Sequence, residues 1–122
     1  MYNIINQLLA LLDSNVNLKA LVTSINPFGV TDINSMYYKV VKLTSNGITG
    51  QMRFELTAVC NNYINAINAI AEAEKTLLTL ADNQLSNDIL TVERNGGGSM
   101  RNAEAKTFHE TGIFIVTYKE RM

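Results

Sequence analysis

Two side chains that could move a proton stand side by side near the end of the chain, His109 and Glu110. Neighbours in an extended segment point to opposite sides of the backbone, so the two diverge and do not form a local acid/base pair. No serine or cysteine in a recognisable nucleophile elbow accompanies them. Cys60, the single cysteine, ends an alternating apolar run, which is the place of a buried and inert thiol. With one cysteine and one histidine, neither a disulfide framework nor a Cys/His metal cage can form within one chain. Glu72 and Glu74 lie two apart on a helical pattern and splay around its axis, so they read as surface charges. The run Gly96-Gly97-Gly98 could let backbone N–H groups converge on a phosphate. However, no Lys-Ser or Lys-Thr follows at the Walker spacing, no helix start follows, and the G-x-G-x-x-G pattern is absent. The expectation is a protein with no catalytic, cofactor-binding or metal-ligating residues, working through its surfaces and not as an enzyme.

Those surfaces need a framework. The 122 residues, 47% of them hydrophobic, suit one domain spanning 1–122 with an adequate core. Ten Lys and Arg against eleven Asp and Glu leave a net charge of −1, which supplies no field to concentrate a polyanion, so sequence readout of nucleic acid is not expected. Residues 4–12 are apolar but lack a basic flank and a small-residue cleavage site, and no window approaches the roughly 18 apolar residues of a membrane span. No membrane partner is expected, and the cysteine usage fits a reducing cell interior.

Ile4, Ile5, Leu8, Leu9 and Leu12 recur at helical spacing, predicting a helix over residues 2–12. A short helical piece carrying Leu18, Leu21 and Val22 follows, with Asn17 as its N-cap, then a turn at Asn26-Pro27-Phe28-Gly29 and an irregular stretch to Ser35. Residues 36–44 and 51–60 read as antiparallel strands joined by a tight turn at Asn46-Gly47. That turn places Val41 opposite Met52 and Tyr37 opposite Leu56, with Leu43 and Phe54 on the same core face and Lys39 as its one misfit. Lys42, Gln51, Arg53, Glu55 and Tyr38 then share a polar face, and a one-residue slip would turn charges inward. From the Asn61-Asn62 cap, Tyr63, Ile64, Ile67, Ile70, Ala71, Leu77, Leu78 and Ala81 trace the stripe of a long amphipathic helix ending near Leu80. Asn65, Asn68, Glu72, Lys75, Thr76 and Thr79 mark its exposed side. Strands over 89–94 and 112–119 follow, joined by a flexible loop over 95–107, from Asn95 to Thr107, that orders on assembly. The sum is an α+β fold: an antiparallel or mixed sheet of about four strands, with the long helix and the N-terminal helix packed on one face.

Taken with particular residues, this order resembles the tail terminator (tail completion, minor tail protein U-like) family of long-tailed bacteriophages. The likeness covers nearly the whole chain. It rests on the opening apolar helix that breaks and resumes over 8–22 before Ile25-Asn26-Pro27, and on the Tyr-rich strand Tyr37-Tyr38-Lys39-Val40-Val41. It rests also on the alternating strand from Met52 to Val59 running directly into the long helix, and on the closing strand Ile113-Phe114-Ile115-Val116-Thr117-Tyr118. The glycine-bearing loop matches no motif of that family. The resemblance implies a structural virion protein of the tail and neck region, assembled in the host cytoplasm. Such a protein forms a ring, typically a hexamer, on the last ring of tail-tube protein, stops tube growth and offers the head-completion or neck protein a joining surface.

Charges of both signs suit the heterologous contacts of a ring. Expected interface residues, toward a neighbouring subunit or the tail tube, are Arg53 and Glu55 on the polar sheet face. Arg94, Gly96, Gly97, Gly98, Met100, Arg101 and Lys106 of the loop complete the set. Competing expectations are another neck or head-completion protein, and a small-ligand-binding regulatory domain with a pocket between helix and sheet.

Overall fold

The structure, a computed structural model, describes residues 2–29, 32–83 and 88–120. Along the chain it runs α1 (Tyr2–Asp13), α2 (Val16–Leu21), β1 (Ile25–Pro27), β2 (Ser35–Ser45), β3 (Thr49–Cys60), α3 (Tyr63–Asn83), β4 (Ile89–Asn102) and β5 (Thr107–Lys119). The strands make one sheet in the order β1-β2-β3-β5-β4, parallel between β1 and β2 and antiparallel elsewhere. This is the expected α+β class with five strands instead of four. The added strand, β1, runs into the segment Asn26-Pro27-Phe28-Gly29 that was expected to be a turn; Pro27, which has no N–H to give a ladder, is tolerated because β1 is an edge.

The core lies on the face that carries the even-numbered residues of β3. Met52, Phe54, Leu56, Ala58 and Cys60 are buried there beside Phe114, Val116 and Tyr118 of β5, against Ile4, Leu8 and Leu12 of α1, Leu18 of α2 and the inner side of α3. Each such large side chain taken fully out of water contributes about 1.5–3 kcal/mol.

The β2–β3 register differs from expectation by one residue. Val41 aligns with Arg53 and Tyr37 with Thr57, whereas Tyr38 aligns with Leu56 and Val40 with Phe54. The cause is a bulge. A two-residue turn would put Ser45 opposite Ile48, but Asn46 accepts from the N–H groups of Ile48 (2.9 Å) and Thr49 (2.7 Å), and the wider loop puts Ser45 opposite Gly50. That change alone keeps every side chain on its face, because the side-chain period is two. The extra residue at Leu43, between Lys42 and Thr44, then turns the rest of β2 over. Tyr38 moves inward and stacks on Phe54 at 6.0 Å, and Lys39, the misfit of the expected register, moves out to solvent.

In α3, the buried positions are Ala66, Ala69, Ile70, Ala73 and Leu77, whereas Tyr63, Ile64 and Ala71 of the expected stripe are exposed. Alanines let the helix axis approach the sheet, and at Gly112 a Cβ would stand 3.0 Å from Ile70 Cγ2. The larger apolar residues therefore cannot all face inward. The side chains of Thr79 and Ala81 lie outside the described residues. Asn62 caps α3, its side-chain oxygen accepting from the N–H groups of Ile64 (2.9 Å) and Asn65 (3.2 Å). The cap of α2 is Asn15 and not Asn17: its oxygen accepts from Leu18 N at 3.0 Å, and its amide nitrogen donates to Thr76 Oγ1 at 2.7 Å, tying α2 to α3.

The largest departure concerns residues 95–107. They are the far half of a long hairpin, with β4 paired to β5 as far as Asn102 opposite Thr107 and a turn over 103–106. The glycines serve an irregularity between Arg94 and Gly97. Gly96 and Gly97 have φ of +107° and +149°, and a Cβ on Gly97 would overlap the carbonyl oxygen of Thr111.

Candidate interaction surface

The expected interface residues fall on two adjoining surfaces and not in one site. Arg53 and Glu55 stand in the middle of the sheet face that points away from the core, paired with each other at 3.0 Å. Gly96, Gly97, Gly98, Met100 and Arg101 run along β4, the outermost strand, and Lys106 sits in the hairpin turn. Arg94 is taken up by the fold. It donates to Glu74 of α3 at 2.9 Å and to the Gly96 carbonyl at 2.7 Å, with its guanidinium 5.6 Å from the centre of the Phe114 ring.

The outward sheet face follows from the observed register. One cross-strand row reads Val41, Arg53, Ile115, Glu93, and the next begins Lys39, Glu55, Ile113. Threonine and glutamine pairs stitch it, Thr57 to Thr111 at 2.9 Å and Gln51 to Thr117 at 3.2 Å between their side chains. Oppositely charged neighbours separated by half-buried isoleucines make a surface that is neither purely solvated nor a hidden core. The core cluster is built from the other face, and no helix residue of that cluster belongs to this one.

At the β4 edge the distal strand residues are exposed on both sides. Tyr63 at the start of α3, Ser99, Met100, Arg101 and Phe108 line a concavity of about 260 Å³. The Tyr63 and Phe108 rings are 5.5 Å apart, and the Arg101 guanidinium lies 5.7 Å from the Phe108 centroid. Ser99 Oγ donates to Glu110 and lies 3.3 Å from the Tyr63 hydroxyl. Tyr63 is 42% exposed, so the rim is apolar as well as charged, whereas Met100, 62% exposed, aligns with His109 on the opposite face of the hairpin.

Of this concavity, Met100 and Arg101 were legible as surface residues. Tyr63 was read as core, because periodicity does not show that the first turn of α3 overhangs the hairpin. Phe108 carried no signal of its own.

The residues weighed for chemistry separate as their spacing requires. His109 aligns with Met100 and Glu110 with Ser99, on opposite sides of β5. His109 Nε2 lies 3.2 Å from Thr107 Oγ1, and Nδ1 has no hydrogen-bond partner among the described residues. Cys60 is buried, and burial pushes its thiol pKa up. Among the described residues no three His, Cys, Asp or Glu side chains gather as a metal site, and no helix is long and apolar enough to cross a membrane.

Helices on one face, a bare mixed-charge face behind them and a long edge hairpin define an α+β domain whose distinctive features are surfaces. No family model matches the chain, and no curated protein matches it. Among solved structures, a chain of the virion of a native gene transfer agent particle shares its fold with a TM-score of 0.70. The two are 15% identical, over 93% of this chain and 92% of that one, so the likeness is one of fold.

Proposed function

We propose that the protein is a structural component of a phage virion, a tail terminator that closes as a homo-oligomeric ring on the end of the tail tube, halts polymerisation and presents a surface to the neck or head-completion protein. The observation that carries this reading is the end-to-end fold likeness to a virion chain, at a TM-score of 0.70 over nine-tenths of both chains. The order of elements from which the terminator resemblance was drawn agrees with it. The bare sheet face around Arg53 and Glu55 and the edge carrying Gly98, Met100 and Arg101 are the surfaces available for neighbours and tube. Both have charges of either sign, which suits heterologous contacts.

The test is an in-vitro one. Purified tail-tube protein is polymerised with and without this protein, and tube lengths are measured by electron microscopy. A terminator shortens the length distribution in proportion to its concentration and appears as a cap at one tube end. An unaltered length distribution rejects the terminator role. Attachment to filled heads in place of tubes would assign the chain to another neck position.

A further inference from the structure

We propose that Asn95 is a site of self-modification, where the backbone nitrogen of Gly96 displaces the side-chain amide and leaves a new carboxylate in the middle of β4. This chemistry is independent of any role in a tail. The chain has two Asn-Gly pairs, Asn46-Gly47 and Asn95-Gly96. Glycine obstructs such an attack least, because it has no Cβ beside the attacking nitrogen. The two dipeptides are identical, so a difference in their reactivity comes from what the fold places around them.

The first pair is restrained. Asn46 Oδ1 accepts from Ile48 N at 2.9 Å and Thr49 N at 2.7 Å, and Gly47 N donates to the Glu120 carboxylate at 3.1 Å. Bringing Asn46 Cγ onto the Gly47 nitrogen gives up these bonds, and the negative charge developing on that nitrogen faces a carboxylate. The second pair has neither restraint. Asn95 and Gly96 are exposed and fall in the irregularity between Arg94 and Gly97, where the β4–β5 register gives them no partner. Around the Cβ position of Gly96 the nearest atom is Ile113 Cδ1 at 4.0 Å. Arg94 Nε donates to the Gly96 carbonyl at 2.7 Å, which brings a cation to the residue whose nitrogen must turn negative. A carboxylate guards one pair, and a guanidinium assists the other.

Water is the only co-reactant. The Gly96 nitrogen bonds to Asn95 Cγ, the Cγ–Nδ2 bond breaks, and the proton of the Gly96 N–H leaves with the amide as ammonia. Water then opens the five-membered imide at either of its carbonyls, giving aspartate or isoaspartate. Both products add a negative charge to a chain of net charge −1. The isoaspartyl product also inserts a carbon into the main chain at the bulge, and so shifts Gly98, Met100 and Arg101 against β5.

The experiment incubates the full chain in mildly alkaline buffer, folded and in guanidinium chloride. Samples taken at intervals are digested at acid pH, and the peptides carrying each pair are quantified by mass spectrometry. In the folded protein Asn95 should convert roughly tenfold or more faster than Asn46, a difference of barrier that the fold supplies. In denaturant the two should convert within about twofold of each other, since the unfolded chain keeps neither Glu120 nor Arg94 in place. Asn95→Gln should keep the native circular dichroism spectrum and slow the appearance of the acidic form on ion exchange. Glu120→Gln should speed conversion at Asn46 in the folded protein. Equal rates at the two pairs in the folded protein overturn the proposal. So does an Asn95 that stays intact in the folded chain over a time in which denaturant converts it, or an Asn95→Gln protein that turns acidic at the native rate.

Discussion

Tyr118 shows how a single group can carry a measurable property of the whole. Its side chain is 2% exposed, its hydroxyl has no hydrogen-bond partner among the described residues, and its pKa is raised above the ordinary 10.0, first by burial and then by the nearby Glu120 carboxylate. A group whose folded pKa lies above its unfolded one stabilises the fold fully below the unfolded value, and this stability is lost as pH rises through the folded value. Urea midpoints should therefore hold to about pH 10 and fall beyond it. The slope should be smaller in Tyr118→Phe, which at neutral pH should lie within about 1 kcal/mol of the native protein because the lost hydroxyl made no bond. An identical alkaline slope in that variant would remove the assignment. Cys60 gives a parallel prediction: its buried, proton-retaining thiol should react with a thiol reagent only as fast as the protein opens, and at once in denaturant. The two residues differ in legibility. Cys60 ends a run with period two, which announces its burial, whereas β5 is apolar on both faces around Ile113 to Val116, and no pattern there chooses which side Tyr118 shares with the core.

At the scale of elements, existence and type were readable for the long periodic segments, whereas register, the short β1 and the far half of β4 were not. Helical spacing located α1 and α3, and apolar alternation located β3, because each pattern repeats over several turns or pleats. A bulge leaves no periodic trace. The Leu43 bulge turned β2 over, and the irregularity between Arg94 and Gly97 let β4 continue through glycines that resemble a loop. This gives a paired prediction. Gly97→Ala meets the Thr111 backbone and an unfavourable φ, and should cost about 1–3 kcal/mol, read as a drop in melting temperature of several degrees. Gly98→Ala meets nothing within 4 Å and should melt within a degree or two of the native protein. Equal effects would mean that 95–102 is a loop after all. Asn15 is a second such joint: it caps α2 and holds α3 through Thr76, so Asn15→Ala should cost about 1–2 kcal/mol in chemical denaturation.

Across the whole molecule, the arrangement of the layers implies association. One sheet face holds three helices, while the other presents Val41, Ile113 and Ile115 among paired charges, and the edges carry Phe28 and Met100 exposed to solvent. Net charge is −1, so no long-range repulsion opposes copies approaching one another. The helix-covered face and the polar face of Arg53 and Glu55 were legible from the strand pattern, whereas the edges were not, since which strands become edges depends on the crossover that places β5 between β3 and β4. If the native state is a ring, its stability must depend on protein concentration, because mass action favours the assembled fold over free unfolded chains. Each tenfold rise in concentration should then add up to about 1.4 kcal/mol per chain, which for a domain of this size raises the melting temperature by roughly 3–6 °C. The measurement is a series of thermal melts across three decades of concentration on the native protein. A melting temperature that climbs with concentration is the expected result. A flat series would mean that this sheet folds as a single copy.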